Sequence, residues 1–247
     1  MSRPDVTDKD PFANGTGFSV ASDGHKFWAV GQGFMQSPNG GPGAFFPQSA
    51  VSVDLGKTWI GSYVEKTYNT SVNVFAANDN ATSGGDNGSA INYGALKSIA
   101  YSVSDNIWIC GGSNGNSQAT LGYSTNGGWP MIAVDISSFN LNSVNCVACG
   151  TNMAVVGCSG GSGTKNILYS VSSPKTSSSA AKVLGQEWKN VNTDIGSSSD
   201  ITSIVYNGSI WVATAMDSST YYSPDGMTWA QGVFSYIGAT STWNSLN

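Results

Sequence analysis

One unit recurs along the 247-residue chain and is cleanest at residues 201–229, where ITSIVYNGSIWVATA leads into YSPDGMTW. It reads as an apolar strand, a two-residue turn, a Trp-led strand and a closing Ser-x-Asp segment. The first copy, GFSVASDGHKFWAVGQG, reaches its own closing segment, SVDLGKTW, only at residues 52–59. Between these lie KSIAYSVSDNIWICGG with GYSTNGGW, and NSVNCVACGTNMAVVGC with ILYSVSS and a distant Trp188. A unit of this kind cannot bury both faces of its own sheet, so neighbouring copies must supply the covering surface. That requirement constrains the architecture before any chemistry is considered.

The second strands superpose Trp28-Ala29-Val30-Gly31, Trp108-Ile109-Cys110-Gly111, Ala154-Val155-Val156-Gly157 and Trp211-Val212-Ala213-Thr214. Each follows turn residues: Asp23-Gly24, Asp105-Asn106, Gly150-Thr151-Asn152 and Asn207-Gly208. Asn-Gly and Asp-Gly accept the positive φ angles of tight hairpins, which predicts a hairpin in every copy. A third strand leads into the Ser-x-Asp segment and a fourth leaves from its Trp. Four strands per unit of roughly 45 residues is the pattern of a propeller blade. Composition agrees, since 40% of residues are hydrophobic and only 10% are charged, against roughly 25% charged in ordinary domains. No stretch sustains a 3.6-residue apolar period.

The expectation is an all-β chain: a β-propeller of four-stranded antiparallel blades, with four clear repeats and room for five or more blades. Residues 1–16 read as an N-terminal tail and 17–247 as a single propeller domain, with insertions at 34–49, 78–89 and 172–186. Thr67–Tyr93 has room for a degenerate extra blade, and the tail ATSTWNSLN resembles the opening strand of another unit.

The net charge is −5 and the ten cations are scattered. Nucleic acid and anionic membrane surfaces both recruit clustered Lys and Arg, so neither is an expected partner. No apolar run approaches the ~18 residues of a membrane span, so no membrane insertion is expected. The start, MSRPDVTDKDPFANG, lacks the apolar core of a secretory signal, which predicts synthesis in the cytoplasm. Cys146 and Cys149 have C-x-x-C spacing, but residues three apart on the strand SVNCVACG face opposite ways. With Cys110 and Cys158 they read as buried thiols, and no metal or other cofactor is expected.

Ser52-Val53-Asp54-Leu55-Gly56-Lys57-Thr58-Trp59 matches S-x-D-x-G-x-T-W at every defined position, and so resembles the Asp-box (BNR repeat) of sialidase-like β-propellers. Ser223, Asp225, Gly226, Thr228 and Trp229 form the one-residue-shorter variant. Ser124, Asn126, Gly127 and Trp129 form a copy with Asn for Asp. Ser170 opens a further copy that SSPKTSSSAAKVLGQE interrupts before Trp188. The resemblance covers most of residues 17–232, and the unit as a whole is most similar in style to repeat proteins of large DNA viruses and some bacteria. In that family the boxes lie at the blade periphery, which implies a structural role here. The physical logic is local. Asp and Ser bond the amides of a tight turn, Gly takes the left-handed region, and Trp buries a large aromatic surface.

A sialidase of this fold grips the substrate carboxylate with three arginines, whose forks match it bidentately. This chain has only Arg3, in the tail, so no such triad can be formed and no enzyme is expected. Other glycoside hydrolases need two carboxylates facing each other across a bond. The two glutamates, Glu65 and Glu187, read as solvated, and Asp23, Asp54, Asp105 and Asp225 occupy turns. The one histidine, His25, follows Asp23-Gly24 in a turn, a poor place for a general base. Asp79 and Asp86 offer oxygen ligands but fit no EF-hand spacing.

A binding surface remains. The expected function is a non-catalytic structural or interaction protein that binds other structural proteins, as a capsid-associated or fibre component of a virion would. Insertions on propellers project from blade edges, which makes Phe45 and Phe46 the candidate aromatic anchor. The alternative is a lectin-like host-attachment module for surface glycans, with Tyr236 and Trp243 as the least constrained aromatic residues. A degenerate glycoside hydrolase ranks third.

Overall fold

The computed structural model describes residues 15–35, 44–63, 91–92, 94–115, 117–125, 131–160, 166–192 and 199–232. They form four antiparallel sheets, each a four-stranded meander in sequence order. The first holds β1 (Thr16–Ser22), β2 (Phe27–Met35), β3 (Ala44–Ser52) and β4 (Ile60–Tyr63), and β5 (Ile91–Asn92) adds a short parallel pairing to β3. The second holds β6 (Gly94–Ser102), β7 (Ile107–Asn114), β8 (Ala119–Ser124) and β9 (Ile132–Val134). The third holds β10 (Leu141–Gly150), β11 (Met153–Gly160), β12 (Ile167–Val171) and β13 (Lys189–Asn190). The fourth holds β14 (Ile201–Tyr206), β15 (Trp211–Ala215), β16 (Thr220–Ser223) and β17 (Ala230–Gln231). These are the blades of a β-propeller.

The hairpins stand where the turn residues predicted, but three of the four are longer than two residues. Ser22 pairs with Phe27, Ser102 with Ile107 and Tyr206 with Trp211, and only Gly150 with Met153 closes over two residues. Side-chain capping accounts for the extra length in the first and last of these. Asp23 Oδ1 accepts the amides of His25 (2.9 Å) and Lys26 (2.8 Å), and Asn207 Oδ1 accepts those of Ser209 (3.0 Å) and Ile210 (2.9 Å). Such Asx turns replace part of the backbone ladder with side-chain bonds.

Each sheet packs face to face on the next, and alternate residues along a strand serve opposite junctions. Trp28, Val30, Leu96, Trp108 and Cys110 fill the first junction. Ile109, Leu121 and Tyr123 meet Val144, Val156 and Leu168 in the second. Val155, Ile167 and Tyr169 meet Ile201, Trp211 and Tyr221 in the third. The middle sheets are therefore apolar on both faces, which is why IWIC and MAVV read as unbroken hydrophobic runs. In the fourth sheet WVATA alternates buried and exposed.

The inner strands carry a common bulge, at Phe18, Lys97, Asn145 and Thr202. The residue after the bulge reaches the next sheet. Ser19 Oγ accepts the Ile99 amide (3.3 Å) and Ser98 Oγ the Val147 amide (2.9 Å), while Cys146 takes this position in the third sheet. Bulge residues also bridge sheets. Lys97 Nζ donates to Asn145 Oδ1 (3.2 Å), and Asn145 Nδ2 donates to the Ile201 carbonyl (3.1 Å).

Several expectations change. Trp28 pairs with Val51, whereas Trp108 and Trp211 pair with Ser124 and Ser223, and Phe27 takes the place opposite Ser52. A slip of one residue reverses the face. Trp28 thus points forward to meet Trp108 edge-on across the first junction, ring centroids 5.3 Å apart at 63°. The insertion expected at 34–49 is narrower, because Phe34–Met35 extend β2 and Ala44–Ser49 belong to β3. Ile91–Asn92 join the first sheet beside Ala44–Phe45 rather than a separate blade. The rest of Thr67–Tyr93, with 78–89, lies outside the described residues. The first strand begins at Thr16, inside the expected tail. Across 172–186, Ser173 and Lys182 bridge antiparallel, and Leu184 is fully buried in the second junction.

Two junctions depend on missing side chains. A Cβ added at Gly111 would lie 2.3 Å from Val144 Cγ1, and one at Gly157 would lie 2.3 Å from Ile201 Cγ2. Gly157→Val is expected to destabilise the fold by about 1–3 kcal/mol through overpacking. Thermal unfolding followed by circular dichroism should show a fall of roughly 2–4 °C for each kcal/mol lost.

Candidate functional site

The Ser-x-Asp segments close the third strand of a sheet with a dense set of local bonds. At residues 52–59, Ser52 Oγ donates to Asp54 Oδ1 (2.8 Å) and accepts the Gly56 amide (2.9 Å). Asp54 accepts the Thr58 amide (2.8 Å) and hydroxyl (2.5 Å), and Trp59 Nε1 donates to the Gly56 carbonyl (3.1 Å). Gly56 sits at φ 82°, a left-handed angle that a side chain would resist. Residues 223–229 repeat the pattern. Ser223 Oγ accepts the Gly226 amide (2.8 Å), Asp225 accepts the amides of Met227 (2.9 Å) and Thr228 (2.7 Å), and Trp229 Nε1 donates to the Gly226 carbonyl (3.0 Å). Of the copy with Asn for Asp, Ser124 and Thr125 are described, and Asn126, Gly127 and Trp129 lie outside the described residues.

The interrupted copy rebuilds the same closure from distant sequence. Ser170 Oγ accepts the Gly185 amide (2.9 Å), and Trp188 Nε1 donates to the Gly185 carbonyl (2.8 Å). Gly185 has φ 82°. Gly185-Gln186-Glu187-Trp188 thus takes the place of Gly56-Lys57-Thr58-Trp59. The intervening residues loop out above the Ser173–Lys182 bridge.

These bonds set the acidity of the carboxyls. The Thr58 hydroxyl and amide hold Asp54 down from its ordinary 3.8 to about 2. Burial pushes Asp225 up, but the amides of Thr228 and Met227 outweigh it and leave the carboxyl lowered. At Asp105, burial is likewise outweighed by the hydroxyls of Ser172, Ser102 and Ser104. Asp105 stands in the second sheet's hairpin and Ser172 follows β12 of the third, so this carboxylate ties two blades. The Asn152 amide adds a second tie by donating to Ser104 Oγ (3.0 Å).

Among the described residues the groups capable of chemistry do not converge. His25 is exposed in its turn, and Glu187 is exposed and pairs with Lys182 at 3.5 Å. Arg3 and Glu65 lie outside the described residues. Among the described residues no three His, Cys, Asp or Glu side chains cluster as a metal site. Cys146 belongs to the third junction and Cys149 packs against the second, on opposite faces of β10. Burial pushes both thiols up to about 12, and those of Cys110 and Cys158 upward too, away from the thiolate.

The candidate aromatic anchor changes its setting. Phe45 and Phe46 lie in β3, paired with Phe34 and Gly33, and not at a loop tip. Tyr236 and Trp243 lie outside the described residues. A notch that the sequence did not announce opens between the third and fourth sheets, with a volume of about 360 Å³. Its floor is Met153, Tyr206 and Trp211, the two rings stacked at 4.4 Å and 27°, and its rim includes Asn152, Ser172 and Asp225. The signal was present in YNGSIW, which places two aromatic residues on either side of one hairpin.

Neither a family model nor a curated protein sequence matches the chain. Solved structures do. YCF48 bound to D1 peptide is 16% identical at a TM-score of 0.50, over 89% of this chain and 55% of that one. The chain therefore spans about half the length of that relative. YCF48 from Cyanidioschyzon merolae is 12% identical at 0.46, over 89% and 70%. Trypanosoma rangeli sialidase in complex with sialic acid is 12% identical at 0.48, over 88% and 37%. At 16% identity the likeness to the first of these shows the fold alone.

Trp229 is buried and Trp59 only half-buried. Trp229→Ala is expected to cost about 3–5 kcal/mol, and Trp59→Ala distinctly less. Chemical denaturation of both variants measures the difference, and an unchanged midpoint in Trp229→Ala contradicts the closing role of that ring. Acid gives a second check. A carboxyl whose folded pKa is depressed stabilises the fold above its ordinary value, and that contribution is lost as pH falls through the folded value. Melting temperature is therefore expected to fall between about pH 4 and pH 2, where Asp54 titrates. Asp54→Asn and Asp225→Asn should each flatten that profile.

Proposed function

We propose that this chain is a non-catalytic β-propeller scaffold that binds other proteins, and that the notch between the third and fourth blades receives a partner side chain. The observation that carries the reading is the composition of that notch: an aromatic floor of Tyr206 and Trp211 beside Met153, with a polar rim at Asn152 and Asp225. Apolar floors ringed by hydrogen-bonding groups are the anatomy of protein-binding hot spots. The chain holds one arginine where a sialidase uses three, and among the described residues Glu187 and His25 are exposed. A protein of similar fold, YCF48, has been solved with a bound peptide, which agrees with an interaction role. The finer form of the proposal makes the chain a virion component that packs against capsid or fibre proteins. It draws on the style of the repeat unit and on a surface poor in charge.

Cross-linking mass spectrometry on the native complex tests both levels. Cross-links from Lys175 and Lys182, on the loop that leaves the notch at Ser172, are expected to reach one partner protein. Thr151→Trp, which fills the notch mouth, should weaken that partner's binding about tenfold or more while leaving the melting temperature in place. Turnover of aryl glycosides, or glycan binding in place of a protein partner, rejects the proposal. Absence of the chain from purified particles rejects only the virion form.

A further inference from the structure

Two blades carry the same cross-strand pair of a tyrosine and a tryptophan beside the hairpin. In the second sheet it is Tyr101–Trp108, with ring centroids 4.9 Å apart at 44°, and in the fourth it is Tyr206–Trp211. Trp108 and Trp211 hold one register position, each opposite the serine that ends the third strand, Ser124 and Ser223. At the first junction the preceding blade sets a cation against this pair. Lys26 Nζ stands over the Trp108 ring, 5.8 Å from its centre, and Asp23 Oδ2 accompanies the ammonium at 3.8 Å. At that distance the quadrupole of the indole attracts the charge.

The third junction repeats the setting with a neutral residue. Lys26 and Met153 are register equivalents, because each directly precedes the residue opposite a closing serine, Phe27 opposite Ser52 and Ala154 opposite Ser170. Met153 shares a core with Trp211 and brings no charge to it. Beside them lies the notch of about 360 Å³, and a carboxylate is again at hand, since Asp225 lines it.

The carboxylates around the notch are met by neutral donors. Asp225 accepts the amides of Met227 and Thr228 and the hydroxyls of Ser223 and Thr228. Asp105, bonded to the rim residue Ser172, also accepts the hydroxyls of Ser102 and Ser104. Neither forms an ion pair among the described residues. Their charge is therefore left for an incoming group, and the net charge of −5 favours the approach of a basic partner.

We propose that the side chain received by this notch is basic, a lysine or arginine of a protein partner, seated against the Tyr206–Trp211 pair with Asp225 beside it. The proposal rests on the reading of the notch as a protein-binding site and adds the chemistry of its occupant. An aliphatic side chain would fill the same space but leave the carboxylate and the ring quadrupole unused. Lysine and arginine share the charge, and a guanidinium can also lie flat on a ring and fork onto a carboxylate.

Peptide titration into the full chain tests this. The probes are capped Gly-Arg-Gly and Gly-Lys-Gly, with citrulline and norleucine versions as their neutral counterparts. NMR shifts of the Trp211 indole and the Tyr206 ring report occupancy. Each basic peptide is expected to bind at least ~5-fold more tightly than its neutral counterpart, with an advantage that shrinks as salt rises. Met153→Lys, which restores the arrangement of Lys26, should abolish the preference. Because that change puts a charge at a nearly buried position, Asp225→Asn serves as a second variant and should reduce the preference at least ~3-fold. Equal binding of basic and neutral peptides, no shift with any of them, or a preference that survives both substitutions overturns the proposal. Loss of partner binding in Thr151→Trp would still uphold the notch as a protein site, so the two readings fail separately.

Discussion

Face-to-face burial between successive sheets is the constraint on which the rest of this structure depends. A single four-stranded sheet with Ile109 and Leu121 on one face and Trp108 and Cys110 on the other cannot exist alone in water. Fully burying each such side chain is worth roughly 1.5–3 kcal/mol, and a sheet exposed on either side forfeits half of that gain. The second and third sheets realise it on both faces, since the cores on either side of them share no residue. The polar devices of the fold serve this packing. Bulges at Phe18 and Lys97 bring the residues that follow them, Ser19 and Ser98, within reach of an amide of the next inner strand, and they let Lys97 and Asn145 bridge blades. Lys97 bears a cost, because burial lowers its pKa against the raising influence of Asp200.

The Ser-x-Asp turns solve a second problem, at the outer side of the first and fourth blades. The chain must leave the third strand, reverse and enter a fourth strand only a few residues long. Asp54 and Asp225 do this by taking amides that would otherwise be unpaired, and Trp59 and Trp229 anchor the turn through their Nε1 bonds to glycine carbonyls. The third blade shows that the requirement is spatial. Gly185 and Trp188 restore the closure although Ser170 precedes them by a long insertion. What the turn needs is a hydroxyl, a left-handed glycine and an indole at the right points in space, and the chain between them is free to vary. Insertion at this point therefore exposes new surface without loosening the blade.

Much of this was legible because the repeat and the hairpin residues are local signals. Asp23-Gly24, Asp105-Asn106, Gly150-Thr151-Asn152 and Asn207-Gly208 mark the four hairpins. Register was not legible. Trp28, Trp108 and Trp211 align as letters, but the partner across the sheet decides the face, and Phe27 rather than Trp28 stands opposite Ser52. Sequence alone does not carry that pairing. The notch was missed for a related reason. Tyr206 and Trp211 read as ordinary strand residues, and their stacking beside Asn152 depends on how two blades meet. Phe45 and Phe46 read as a loop anchor because the GPG and SPNGG residues around them resemble loop sequence, yet β3 begins at Ala44.

The distribution of acid groups follows from the same economy of side chains. A chain with 10% charged residues has few carboxylates to spare, and the fold takes the best placed of them for turns. Asp23, Asp54, Asp105 and Asp225 all sit where an amide or hydroxyl must be satisfied, and each is held below its ordinary acidity range. A carboxylate held ionised by two or more donors makes a poor general acid, because the donors that stabilise its charge oppose the proton it would have to carry. Catalysis by any of these four carboxylates would demand that its turn give up its bonds. Recognition demands nothing of the kind, since the Tyr206–Trp211 floor and the Asn152 rim are already in place once two blades have packed. The packing that builds the fold therefore also builds the notch proposed to receive a partner side chain.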